Sequence, residues 1–500
     1  MTHDSHIIVG GAPEGYDAQL LIKELLLANG PVMHVARDDK RLAAMAEAIC
    51  FFAPDIPVLQ FPSWDCLPYD RISPQADISA ARMATLATLV HKAPERFILL
   101  TTLNAVTQKI PQRAILKDSV FRATVGKKMN EAALRGFLTR MGFHQCPTVM
   151  EPGDFAVRGG IIDIFPPGDL GPVRLDLFGD ILDGARRFDP ATQLTTEKLS
   201  EIELAPVSEV ILDEAAITRF RQNYRMEFGV VRIDDPLYEA VSAGRKYQGV
   251  EHWLAFFHDR LETIFDYLPK ASITLDDNLT PARLARWESI QDQYETRQFA
   301  LNQKSKIDTV YKPVAPELLY LNDLAWARAI SAHRVLQFHT LAQPNGPNVI
   351  DACGRIGRNF SPERQLEKVN LFSALAEHIK NKLRSSKVVL ASYSEGARER
   401  LAGLIEEEGF FNPKLVSHVR DVHSHGLHLA VWGLEHGFEA PDLTVISEQD
   451  VLGDRLIRQG RKRRKAENFL TETQSLSAGD LVVHVDHGVG RFTGLEVVTA

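Results

Sequence analysis

The stretch "HIIVGGAPEGYDAQLLIKELL" sets Gly10 and Gly15 five apart between an apolar strand and an apolar-periodic helix. That is where a phosphate-cradling loop sits in nucleotide-hydrolysing folds, written G-x-x-x-x-G-K-[ST]. In such a loop backbone N–H groups wrap the phosphates, Lys reaches the β/γ oxygens and Ser/Thr holds Mg²⁺. The glycine spacing is right, yet Tyr16 and Asp17 stand where Lys and the hydroxyl belong. Glu14 and Asp17 place negative charge where phosphate would sit, which repels it. The loop therefore reads as a scaffold corner, with no catalytic residues and no bound cofactor expected. The alternative is an active P-loop ATPase or helicase-like subunit with an atypical loop, binding DNA.

Three other clusters carry chemistry-capable side chains. "HSHGLH" brings His423, His425 and His428 together, without a Cys or carboxylate at the spacing of a tetrahedral metal site. A run of surface histidines is the simpler reading, and no metal site is expected. Arg455, Arg458, Arg461, Lys462, Arg463, Arg464 and Lys465 form a basic run that could touch phosphate or serve as a solvated linker. His484 and His487, in "VVHVDHGVGRF", are three apart on an expected strand and so face opposite sides, poor joint ligands.

The elements that position these residues follow from periodicity. Strands at "HIIVGG", "PVMHVAR", "PVLQFP" and "RFILLTTL" alternate with helices over 17–28, 40–52 and 80–91, the pattern of βαβ units and a parallel sheet. From about residue 119 one helix is followed by short strands broken by Pro, Gly and Asp, an antiparallel α+β insert. Helices return past Asp213, with a long polar one near 280–304. "QPNGPN" is a strong breaker and a candidate linker, and a second α/β stretch follows it. The final alternating segment, 477–500, starts a small β-barrel. The expected domains are 1–118, the first part of the α/β domain; 119–208, the insert; 209–345, its second part; 348–454, a small α/β domain; 455–476, a basic linker; and 477–500.

Composition is that of a globular protein, with 45% hydrophobic and 24% charged residues over 500 positions. A net charge of −8 gives no global field towards nucleic acid. The four cysteines, Cys50, Cys66, Cys146 and Cys353, form no C-x-x-C, which fits a reducing cytosol better than a disulfide or zinc scaffold. The N-terminus matches neither a signal peptide nor a membrane span, so a cytoplasmic protein without membrane contact is expected.

Four stretches together carry a resemblance: "FPSWDCLPYDRISPQADISAARMATLATL", "EPGDFAVRGGIIDIFPPG", "VEHWLAFFHDRLETIFDYLP" and "GDLVVHVDHGVGRFTGLE". In order and spacing they resemble the bacterial transcription-repair coupling factor family. The first three resemble the part shared with the excinuclease B subunit, the last the opening of a Tudor-like RNA-polymerase-interaction domain. The resemblance implies a degenerate P-loop-like domain split by an insert that binds the excinuclease A subunit. It implies that Arg158, Arg174, Phe178 and Arg186 carry that binding, and that Arg491 and Val498 lie where the RNA polymerase β subunit is contacted. The acidic pair that organises Mg²⁺ in the B subunit is matched by Asp276 and Asp277, with its Glu gone. The family's ATP- and Mg-dependent translocase motor, which moves on DNA and releases stalled polymerase, lies C-terminal to the polymerase-binding domain. These 500 residues contain no G-K-[ST], so the motor is expected to be absent from them and the terminal module incomplete at Ala500.

Overall fold

Five-residue runs of Val, Ile, Leu and Met that are buried on both faces build a parallel sheet, because such strands need cover above and below. In the computed structural model, which describes residues 6–231, 235–302, 311–365, 370–410, 413–423, 426–453, 481–484 and 488–491, seven strands form that sheet. Their order is Val349–Asp351, His6–Gly10, Val335–Phe338, Ser272–Leu275, Val32–Ala36, Ile98–Thr102, Val58–Phe61, and every pairing is parallel. Alternation sends Val32 and Ala36 into one core, beneath helices Tyr16–Leu27 and Asp39–Phe52. Met33 and Val35 enter the other, beneath helices Ala76–His91 and Leu279–Asn302.

The two central strands Ser272–Leu275 and Val335–Phe338 come from far along the chain, so the domain is split as the sequence indicates. The "QPNGPN" breaker, however, joins two strands of this same sheet. Val349–Asp351 pairs with His6–Gly10, which moves the expected boundary at 348 past that edge strand. A breaker marks a turn, and a turn inside a sheet has the same composition as a linker.

The insert leaves and re-enters through a two-stranded neck, Phe121–Thr124 against Glu201–Leu204. Beyond it, helix Glu131–Arg140, capped by Asn130 through the Ala133 amide, covers one face of a six-stranded meander. The strands run in the order Thr195–Leu199, Ile181–Phe188, Val173–Phe178, Ile161–Ile164, Asp154–Arg158, His144–Gln145. All neighbours are antiparallel except the last pair. Phe155, Ile162, Leu175, Leu182 and Ala185 face the helix and form its core. The opposite face points outward. Where the chain returns, buried Glu209 accepts from Arg82 at 2.6 Å and from the Trp64 indole at 3.0 Å, tying the insert's end to helix Ala76–His91. An aromatic core follows, built on Phe220, Tyr224, Trp253, Phe256, Phe257 and Tyr320.

The second α/β sheet orders Arg355–Ile356, Phe438–Glu439, Leu443–Ser447, Lys387–Ser392, Leu427–Val431, Lys414–Val416. It shares the first domain's core: the Phe51 ring stacks on Trp432 at 4.6 Å and Tyr16 on Phe438 at 6.1 Å. Residues 454–500 form a separate unit, whose described part is a hairpin of Leu481–His484 and Gly488–Arg491. Among the described residues no helix is long and apolar enough to cross a membrane.

Candidate functional site

The glycine loop occupies the place the sequence assigns it, at the carboxyl end of strand His6–Gly10 and before helix Tyr16–Leu27. Its amides are already engaged. Gly11 N–H donates to the Leu341 carbonyl at 3.2 Å and Ala12 N–H to His339 at 2.9 Å. Gly15 N–H donates to the carboxylate of Asp17 at 3.0 Å. The Asp17 side chain thus plays the part of the anion that a phosphate would supply at a helix N-terminus. Space is closed as well. Gly15 has φ +92°, and a Cβ there would lie 2.8 Å from the Phe438 ring. The Tyr16 hydroxyl donates to the Ala352 carbonyl at 3.1 Å.

Two arginines that sequence reasoning did not single out complete this corner. Arg41, 3% exposed, pairs with Asp17 and with Asp276 (Nε–Oδ1 3.3 Å). Arg37 donates to Glu14 at 2.6 Å and to Asp276 at 3.4 Å. Three carboxylates therefore share two guanidiniums. Burial pushes Asp17 up to about 7, against the pull of Arg41 and with the help of Asp276 and Glu14. Asp276 and Asp277, the acidic pair matched by resemblance, lie at the end of strand Ser272–Leu275 beside this corner. Asp276 closes the ion cluster, and Asp277 accepts from the Thr340 amide at 3.2 Å and lies 3.2 Å from the His339 ring. The signal for the arginines was present in "VARDDKRL", directly after the second strand, but nothing in one sequence says which carboxylates they meet.

On the insert, the structure gathers Arg158, Arg174, Phe178 and Arg186 on the outward face of the meander. Register shows it: Asp163 pairs with Arg174, Arg174 with Arg186, and Ile181 with Phe178. Phe178 is 79% exposed and flanked by partly exposed Ile161 and Ile181. Arg186 pairs with Asp176 at 2.7 Å while remaining half open to solvent, and Arg158 donates to the Pro147 carbonyl at 2.9 Å. Arg174 differs. It holds buried Asp163 through a two-pronged contact at 2.7 and 2.9 Å and lies 4.6 Å over the Phe188 ring. The pairing of arginines with aspartates across strands and the gathering on one face are thus both present. An apolar centre rimmed by half-exposed guanidinium groups is the composition of a protein-binding patch.

The remaining candidates fall apart in space. His428 is fully buried on strand Leu427–Val431 and its ring accepts from the His423 amide at 3.2 Å, so it is a core histidine rather than one of a surface run. His425, His487, Val498 and the basic run Arg455 to Lys465 lie outside the described residues, as does the side chain of Arg491. The four cysteines are all free thiols.

Three family models match the chain. The UvrB interaction domain matches residues 121–209, the MFD D3 domain 381–451 and the CarD-like/TRCF RID domain 476–500. Among curated proteins it is similar to the transcription-repair-coupling factor of Haemophilus influenzae, at 29% identity over 506 residues, covering 98% of this chain and 42% of that protein. The corresponding factor of Escherichia coli is 29% identical over 480 residues, covering 94% and 40%. That of Bacillus subtilis is 22% identical over 527 residues, covering 99% and 43%. The chain therefore spans about two-fifths of the length of the relatives it matches.

Proposed function

We propose that this chain, which shares an ordered set of domains and 28–29% of its residues with transcription-repair coupling factors, supplies the adaptor part of such a factor. In this reading the outward face of the insert recruits the excinuclease A subunit to RNA polymerase stalled at a DNA lesion. ATP-driven translocation on DNA belongs to a motor outside these 500 residues. The observation that carries the reading is the shared face of Arg158, Arg174, Phe178 and Arg186, with its exposed phenylalanine. Phe178 is the anchor, Arg158 and Arg186 supply the charged rim, and Arg174 positions the strands by neutralising Asp163. The module matched at 476–500 carries the RNA polymerase β contact, through Arg491 and Val498.

Ala at Phe178 is expected to weaken binding of the excinuclease A subunit by about 1–3 kcal/mol, a truncation loss typical of an interface anchor. The melting temperature should stay put, because the ring is 79% exposed. Arg174→Ala is a poorer probe, since it also strands a buried carboxylate. A loss at Phe178 smaller than twofold would remove the assignment.

The glycine loop is catalytically silent in the same reading, since Asp17 and neighbouring carbonyls occupy the amides that phosphate needs. Adding ATP with Mg²⁺ is expected to leave the melting temperature unchanged and to release no phosphate. A binding ligand at a hundredfold its Kd would stabilise the fold by about 2.7 kcal/mol. A shift of that size would restore the ATPase alternative.

A further inference from the structure

We propose that His144, Cys146 and Asp154, at the edge of the insert's sheet, form a binding site for a divalent cation of the zinc class. One donor atom from each lies within 4.8 Å of the others. Backbone geometry brings them together. His144 and Cys146 are two apart on the edge strand and its continuation, so their side chains leave on the same side. Asp154 stands directly opposite His144 in the parallel register. The ladder is pinned by His144 N–H to the Gly153 carbonyl and Cys146 N–H to the Phe155 carbonyl, both at 2.9 Å.

Asp154 is prepared for the role. Its Oδ2 accepts from the amides of Met150 and Glu151 at 3.2 and 3.1 Å, which fixes the carboxylate. Its Oδ1 faces the His144 Nδ1 at 3.6 Å. Ligands held by such outer contacts bind metal more tightly than free-swinging ones. A tetrahedral ion with bonds of about 2.0–2.3 Å draws the three donors inwards by roughly an ångström. The exposed His144 ring allows that movement, and the Cys146 thiol, whose Sγ donates weakly to the Thr148 and Phe155 carbonyls at 3.2 and 3.7 Å, gives up those contacts on binding. A thiolate, a carboxylate and a neutral imidazole balance a doubly charged ion and leave one position for water. Sulfur and imidazole donors select zinc-like metals over magnesium or calcium, which prefer oxygen. The site closes the loop from Cys146 to Asp154, whose Pro147 carbonyl accepts from Arg158.

Cobalt(II) titration of the intact chain tests this, because only a thiolate ligand gives the near-ultraviolet sulfur-to-cobalt charge-transfer band. The expected result is a band saturating at one equivalent, bleached by added Zn²⁺. It should be absent from Cys146→Ser although Cys50, Cys66 and Cys353 remain. Affinity should fall by more than the roughly 10–100-fold typical of losing an outer contact in His144→Ala, a change at an exposed position that leaves the fold intact. Zn²⁺ should raise the melting temperature of the wild type and not of His144→Ala. No band in the wild type, or one undiminished in Cys146→Ser, would overturn the site.

Discussion

Arg41→Met is expected to lose about 3–5 kcal/mol of folding stability, the cost of leaving a buried ion unpaired. The methionine fills the arginine's volume, so the loss reports charge rather than a cavity. Asp17 is 2% exposed and Asp276 also 2%; Asp17 takes its counter-charge from Arg41, and Asp276 shares Arg41 with Arg37. Arg37 reaches Asp276 but not Asp17, so it cannot take over. Urea unfolding should show a lower midpoint with an unchanged slope. Adding Asp17→Leu to Arg41→Met should recover part of the loss, because removing both charges of a buried pair costs far less than removing one. A single-variant effect within about 0.5 kcal/mol, the range of ordinary surface changes, would mean that the corner is not held by its charges.

Acid should weaken the fold well before its surface carboxylates titrate out. Burial lowers His34 to about 3, and His252 and His258 to about 4. His34 is fully enclosed against Thr274 at 3.0 Å. His252 lies edge-on to Trp64, with Cys66 4.0 Å away. His258 lies in the field of Arg219, with Glu209 and Asp213 opposing it. Each folded value is depressed, so the stability they contribute is complete above about pH 6.5 and drains away as pH falls towards 4. Asp17 works in the opposite sense: its value is raised, so protonation below about 7 favours the folded state. Among the groups shifted furthest, three histidines against one carboxylate leave a net of roughly two protons, or about 2–3 kcal/mol per pH unit between 6 and 4.5. Over that window the loss is about 3–4 kcal/mol of the 5–15 usual for a folded domain, so the urea midpoint followed by circular dichroism should fall clearly between pH 7 and pH 5. Equal urea midpoints at pH 7 and pH 5 would contradict it.

Much of the fold was legible because its signals are local. Runs such as "ILLTT" and "VMHVA" alternate with amphipathic helices, and that alternation fixes a parallel sheet. The insert showed itself by its change of texture. The site on it was legible only through the motif resemblance, since Arg158, Arg174, Phe178 and Arg186 come from three strands whose register no single strand reveals. What stayed hidden depends on distant partners. The Arg82–Glu209 pair spans 127 positions, and Phe438 closes the glycine loop from another sheet. His428 reads as one of a surface run because "HSHGLH" gives no hint that the strand carrying it is flanked by a neighbour on each side. The edge strand Val349–Asp351 lies beyond the breaker in sequence and within the first sheet in space for the same reason: pairing decides membership in a sheet, and pairing is not local.

The most direct measurement is a calorimetric titration of the chain into the excinuclease A subunit, repeated at two salt concentrations. Saturable one-to-one binding is expected, weakening with salt because half-exposed Arg158 and Arg186 rim the patch, and weakening further in Phe178→Ala. Absence of heat and of any complex with the folded wild-type chain would contradict it.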